Sequence, residues 1–159
     1  MAHTRPSQVF DVHQVAQRMR EEDVAELRAA NGVGPHDGLI RGFCESSLCL
    51  TIVHNDQPIG MCGVRADDHY PELGYVWLLA TPDLPKITRD FVRQTPAVLA
   101  QFHKRYPVLT NLVDERNAVH IRWLQRVGFT FINRHPQAGF EQRPFLEFIK
   151  LCADPLQSL

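Results

Sequence analysis

The run Asn117-Ala118-Val119-His120-Ile121-Arg122-Trp123-Leu124-Gln125-Arg126-Val127-Gly128-Phe129 decides the fold class of this chain. An Asn at its head caps a helix by accepting hydrogen bonds from first-turn N–H groups. Ile121 and Leu124, with Trp123 beside them, give that helix one apolar face. Gly128 ends it with a residue that tolerates the left-handed conformation, and Phe129 to Ile132 reads as a strand. Just upstream, Val108 to Val113 is an apolar run of strand character. The unit is therefore strand, helix, glycine turn, strand.

Toward the N-terminus, Gly74 to Ala80 is almost wholly apolar, as a central strand buried on both faces should be. Between it and Val108 lies a turn, Thr81-Pro82-Asp83-Leu84-Pro85. A long helix follows to about Arg105, marked by Ile87, Phe91, Val92, Val98, Leu99 and Phe102, and Pro96 is expected to kink or break it. Leu48 to Val53 and Pro58 to Val64 pair as a hairpin through the tight turn His54-Asn55-Asp56-Gln57. Gly60 and Gly63 leave room there for a close neighbour or a bulge. Arg20-Glu21-Glu22-Asp23 opens a helix with acids in its first turn, where the macrodipole favours them. Val24, Leu27 and Ala30 stripe that helix, and Asn31-Gly32 stops it. Pro35 starts another through about Ser46, with Leu39, Ile40, Phe43 and Cys44 inward. Residues 1–9 read as a loose lead-in, Phe10 to Val15 as an edge strand, Pro144 to Leu151 as the last strand and 152–159 as a tail. The order β-α-α-β-β-β-α-β-α-β-β predicts an α/β (α+β) domain over 1–159, one mixed central sheet with helices on both faces.

Composition is that of a globular domain: 159 residues, 44% hydrophobic and 22% charged. A formal charge of −1, with acids and bases intermixed, gives no drive toward nucleic acid or an anionic membrane. No apolar run approaches the roughly 18 residues of a membrane span, and Met1 to Ser7 lacks the apolar core of a signal peptide. A soluble chain is the expectation. The four cysteines, Cys44, Cys49, Cys62 and Cys152, form no CxxC pattern and read as free thiols of a reducing cytoplasm. The eight histidines set no pair on one helix face, so no metal site is expected.

The element order resembles the GNAT acetyltransferase fold, and the opening run sharpens the match. The last helix of that family commonly reads Asn-x-x-Ala-x-x-x-Tyr-x-x-x-Gly-Phe, and this chain keeps the Asn, the Gly-Phe and their spacing. A narrower resemblance rests on Trp77-Leu78-Leu79-Ala80-Thr81, on Asn111-Leu112-Val113-Asp114-Glu115-Arg116-Asn117 and on His120-Ile121-Arg122-Trp123-Leu124. These look like small podophage proteins, the internal virion protein A or acetyltransferase-like group. That resemblance implies phage virion or assembly proteins as partners, located in the host cytoplasm during infection or in the virion.

The GNAT resemblance implies a CoA pyrophosphate held on backbone N–H groups of a glycine-rich loop opening the long helix. Here the matching stretch, Thr81 to Asp90, contains no glycine. Its two prolines remove donors, and Asp83 and Asp90 add negative charge. Leu84, Lys86, Thr88 and Arg89 are the residues left to meet a phosphate, with Asn117 toward the pantetheine arm. The family's Tyr general acid falls on Leu124, which has no proton to give. His120, one turn earlier, and Tyr75 are the remaining proton carriers, although a His on a partly apolar helix is more often simply packed. His69-Tyr70-Pro71-Glu72 reads as well as a polar loop as a cleft lining. Trp77 and Trp123 suit either the core or an interface. Arg134 to Arg143, with Phe140 among polar neighbours, reads as a loop between the last two strands and as a candidate partner contact through Arg134, Phe140 and Arg143. The expectation is a non-catalytic GNAT-fold protein with no cofactor, acting through protein–protein binding in virion structure, assembly or DNA ejection. The alternative is an acyl-CoA-dependent N-acetyltransferase that acts on a protein or small amine and uses acetyl-CoA.

Overall fold

The alternation along two neighbouring strands shows how the core is divided. In a strand successive side chains leave on opposite faces. Met61 and Leu79 pack with Val12, Val15, Met19 and Leu39 on one face, whereas Cys62, Val64, Val76 and Leu78 pack with Phe91, Val98, Leu99, Phe102 and Leu124 on the other. Two apolar cores thus sandwich one sheet. In the computed structural model, which describes residues 1–152, the strands are β1 (His3–Pro6), β2 (Leu48–His54), β3 (Gln57–Ala66), β4 (Leu73–Ala80), β5 (Val108–Asp114), β6 (Thr130–Ala138) and β7 (Arg143–Leu151). Their spatial order is β1-β2-β3-β4-β5-β7-β6, antiparallel throughout except for β4 beside β5. Helices α1 (Val9–Gln17), α2 (Glu21–Asn31) and α3 (Pro35–Glu45) precede β2. A short 3-10 turn (Leu84–Ile87) leads into α4 (Thr88–His103), and α5 (Ala118–Arg126) joins β5 to β6.

Much of this follows the expected pattern. Asn55 and Asp56 both take positive φ, 50° and 60°, at the tip of the β2–β3 hairpin, as a two-residue turn matched to strand twist requires. Gly32 and Gly128 close α2 and α5 at φ 69° and 99°. Gly63 admits Trp77, whose Nε1 would stand 2.8 Å from a Cβ there, and Trp77 donates to Ser46 Oγ at 2.8 Å. That indole is half-buried packing.

Three expectations are corrected. Phe10 to Val15 is helix, part of α1, because Val12 and Val15 at helical spacing are the buried pair while Phe10 faces solvent. The edge strand is β1 instead, within the expected lead-in, paired with β2 from His3↔Val53 to Pro6↔Leu50. Pro96 does not break α4: the helix is continuous from Thr88 to His103, with Thr95 Oγ1 donating to the Phe91 carbonyl at 2.6 Å beside it. Nor is 134–143 a loop. Strand β6 continues to Ala138 and β7 begins at Arg143, so only 139–142 connect them. Of the expected C-terminal tail, 153–159 lies outside the described residues.

Asp11 fastens α1 to the sheet edge. It has no exposed surface and accepts from Arg5 Nη1 and Nη2 (2.7 and 2.9 Å), the Gln8 N–H (2.8 Å) and Thr51 Oγ1 (2.8 Å). Burial pushes its carboxyl up, but the bonds from Arg5, Gln8 and Thr51 outweigh burial and hold it below the usual carboxylate range. The stability so contributed is complete above about pH 4 and is lost as pH falls through the lowered value. Asp11→Asn is expected to cost about 2–4 kcal/mol at neutral pH by urea denaturation. Its stability should also fall less steeply than the parent's as the medium is acidified.

Candidate functional site

The parallel pair at the sheet's centre is short. β4 and β5 are in register only at Leu73↔Val108, Gly74↔Leu109 and Tyr75↔Thr110, after which they separate into a V. Alternation along β4 turns the main-chain groups of Val76, Leu78 and Ala80 toward the gap. Asn111 Nδ2 takes the Val76 carbonyl at 2.8 Å. The Arg20 N–H takes the Ala80 carbonyl at 2.8 Å, and the Ala80 N–H donates to Asp23 Oδ2 at 2.9 Å. That leaves the Leu78 N–H and C=O opening onto the V.

Asp23, 1% exposed, anchors this region. Besides Ala80 it accepts from Arg20 Nη2 (2.8 Å) and Nε (3.2 Å), and Asn117 Nδ2 lies 3.3 Å from Oδ1. Burial pulls the Arg20 guanidinium down, yet its bonds and attraction to Asp23 prevail and keep it above its ordinary value. Asn117 also accepts from the His120 N–H at 3.4 Å through Oδ1. It is therefore both the cap of α5 and the tie between α5 and α2. It lines neither of the two large cavities that meet in the V.

His120 stands at their junction. One cavity, 630 Å³, lies between α2, α3, β4 and the β6–β7 turn; the other, 310 Å³, lies between the 3-10 turn, the start of α4 and α5. His120 and Leu78 line both. The imidazole is 9% exposed, and its Nδ1 has no hydrogen-bond partner among the described residues. Glu26 Oε2 is 3.9 Å away. Trp123, whose ring centroid is 5.6 Å from that of His120, likewise has a buried, unpartnered Nε1 and lines the smaller cavity. Buried polar atoms without partners are uncommon, and both of these side chains line the smaller cavity.

Glu26 was not evident from sequence, where the acids of α2 read as dipole partners of its first turn. Its Oε1 accepts from the Asp114 N–H at 2.5 Å, and Oε2 lies 3.5 Å from Asn117 Nδ2. Spacing gave one unused clue: Asp23 and Glu26, three apart, share a helix face. Asp23, Glu26 and His120 place ligand atoms within 4.8 Å of one another. The donor set does not suit a cation, because both Asp23 oxygens are already taken by Arg20, Ala80 and Asn117.

The other sequence candidates are distributed as follows. Tyr75 lines the larger cavity, but its hydroxyl donates to Asp67 Oδ1 at 2.6 Å. That bond, with burial behind it, raises the phenol, while Asp67 is held down at about 2 by Tyr75 and the N–H groups of His69 and Tyr70. Tyr75 is thus a poorer proton donor than an ordinary tyrosine. Leu84 and Thr88 line the smaller cavity; Lys86 is bonded to Asp83 at 2.8 Å, and Arg89 lies outside the lining. Leu124, 1% exposed, is core. Arg134 donates to Glu115 Oε2 at 2.8 Å, and Arg143 has a buried, unpartnered Nε. Phe140 is 72% exposed, yet its N–H and that of Glu141 bond the carbonyls of Ala30 and Ala29 at 3.1 and 3.0 Å. The β6–β7 turn is thereby latched onto α2, over the larger cavity.

Solved structures share this fold over nearly the whole chain. A ribosomal-protein-alanine N-acetyltransferase from Brucella melitensis superposes with TM-score 0.72 at 14% identity, covering 94% of this chain and 99% of that one. A GNAT-family acetyltransferase from Streptococcus pneumoniae gives 0.63 at 14%, with 96% and 100% covered. The chain has the GNAT fold. An aminoglycoside acetyltransferase in complex with coenzyme A gives 0.67 at 14% identity, covering 95% of each chain. No family profile matches the sequence, and no curated protein does. The podophage resemblance gains no support from these comparisons. Among the described residues no helix is long and apolar enough to cross a membrane.

Because Asp23 neutralises a buried arginine and ties three elements together, whereas Glu26 accepts one close hydrogen bond, from the Asp114 N–H, the two acids should separate experimentally. Asp23→Ala is expected to lose about 3 kcal/mol or more, as an uncompensated buried Arg20 is left behind. Glu26→Gln, which keeps an acceptor for Asp114, should lose about 1 kcal/mol or less. Thermal and urea unfolding of the two variants reads the difference.

Proposed function

We propose that this GNAT-fold protein is an N-acyltransferase that moves an acyl group from acyl-CoA to a primary amine. The observation that carries the reading is His120, buried and unpartnered at Nδ1, shared by two cavities that meet where β4 and β5 part. The two substrates of such a transfer need separate entrances and one common point, and proton traffic at that point needs a titratable group. The coenzyme A complex among the fold's relatives supports assigning the thioester to this fold. The Leu78 N–H and C=O are free to pair with an extended amide-bearing arm laid along the V, as a strand edge pairs with any extended chain.

Acyl-CoA bound in the V supplies the thioester. The amine enters by the 630 Å³ cavity, where Glu26 attracts its ammonium form and takes one proton from it, freeing the nitrogen lone pair and later releasing that proton to solvent. As the N–C bond forms and the C–S bond breaks, the nitrogen gives its second proton to His120, which passes one to the departing sulfur, as Leu124 cannot. Glu26 lines only the amine side; His120 reaches both.

A second reading has an observation of its own. The turn before α4 consumes its donors internally: Asp83 N–H to Thr81 Oγ1 (3.3 Å), Leu84 N–H to the Thr81 carbonyl (3.2 Å) and Lys86 N–H to the Asp83 carbonyl (3.0 Å), while Pro82 and Pro85 have none. This favours a GNAT-fold protein that binds a partner rather than CoA; we propose Phe140 as its exposed contact in that case, and the partner class implied by the sequence resemblance is phage virion or assembly proteins. One titration separates the two. About 1 mM acetyl-CoA should stabilise a micromolar binder by roughly 4 kcal/mol in a thermal melt; the absence of any shift would sink the enzyme reading. Given binding, His120→Gln and Glu26→Gln are expected to keep the shift and to lose about 10²-fold or more in turnover.

A further inference from the structure

The 310 Å³ cleft has a distinctive electrostatic character. Its lining contains Arg20, Arg122 and Arg126 and, among the described residues, no acid. Arg20 is spent on Asp23. Arg122 and Arg126 are different: both are exposed, and neither has an ion-pair or hydrogen-bond partner among the described residues. They lie four apart on α5, so they project side by side from one helix face. Opposite them stand Leu84, Pro85 and Thr88. Of the two acids that the sequence sets in this region, Asp90 lies outside the cleft lining, and Asp83 is turned to Lys86 and Arg18, whose bonds lower its carboxyl below the usual range. The cleft therefore presents two uncompensated guanidiniums to whatever enters it, with the Trp123 side chain in its lining.

Resting on the acyltransferase reading, we infer that Arg122 and Arg126 of α5 are the phosphate-binding residues of this protein. They grip the phosphate groups of the CoA nucleotide with side chains, because the proline-rich turn has the N–H groups of Asp83, Leu84 and Lys86 already bonded and none at Pro82 or Pro85. A guanidinium matches a phosphate with two parallel N–H donors and keeps its charge at any working pH. Long side chains also reach a phosphate without the close main-chain approach that glycine permits, which accounts for a glycine-free turn in a nucleotide cleft.

The test is calorimetric titration of acetyl-CoA into the full chain, its Arg122→Ala/Arg126→Ala double variant and an Arg93→Ala control. Arg93 is an exposed α4 arginine outside the cleft lining. Melting temperatures should be unchanged, since neither α5 arginine has an internal partner to lose. The double variant is expected to bind about thirtyfold more weakly or worse, the control within about twofold. Added salt should weaken the parent more than the double variant. Adenosine 3′,5′-bisphosphate, which has no thioester arm, should compete on the parent and not on the variant. Equal acetyl-CoA affinity in parent and double variant overturns the arginine assignment and leaves the acyltransferase reading standing. No binding by the parent overturns both.

Discussion

The Asp23 carboxylate is the point from which the site is built. It lies at the start of α2, neutralises Arg20, receives the Ala80 N–H at the end of β4 and reaches Asn117 at the head of α5. Two separated stretches of chain are thereby drawn to one buried charge. A lone buried carboxylate would be strongly disfavoured. Its full set of partners makes it tolerable and, in the same act, fixes where α2 and α5 sit against the parted strands. The V stays open because each neighbour of Leu78 along the gap has been given another partner: Asn111 for Val76, Arg20 and Asp23 for Ala80.

From that anchor the distribution of roles follows by position. Asn117, whose spacing marked it as a motif residue, is 1% exposed and holds elements together rather than touching a cavity. Its cap bond to the His120 N–H sets the first turn of α5 and so aims the imidazole. His120 and Leu124 are one helical turn apart on the same face. The proton-bearing group that the resemblance looks for at 124 is present one turn earlier, at the mouth of the V, while Leu124 fills the core beneath it.

How much of this was legible in the sequence depends on the range of the interactions. Local chemistry was readable: Gly32 and Gly128 as left-handed caps, the Asn55-Asp56 turn, the apolar run of β4 and the separation of Asn117 from Gly128-Phe129. Those signals depend on a few adjacent residues and on period-2 or period-3.6 burial. The first strand was misread because Phe10 and Val12 alternate as a strand would, whereas the burial of Val12 and Val15, three apart, with Phe10 in solvent is that of a helix. The β6–β7 connection was misread as a loop because 134–143 is mostly polar, yet β6 lies at the sheet edge, where polar side chains and the missing N–H of Pro136 are tolerated. Glu26 was invisible for another reason. Its meaning arises from His120 and Asp114, far along the chain, and no local rule reports a contact made across the sheet.

The glycine-free turn shows the same limit in reverse. Read locally, two prolines and two acids before α4 argue against a phosphate nearby, and the folded turn bears out half of that argument, since its N–H groups are consumed within it. The charge half fails. Asp83 is neutralised by Arg18, brought from the end of α1, and by Lys86 within the turn. What remains toward the cleft is a wall of Leu84, Pro85 and Thr88 facing two unpaired arginines on α5. Electrostatics at a cleft is a sum over every element that lines it, and in this protein the sign of that sum is set by a helix that lies some thirty residues beyond the turn.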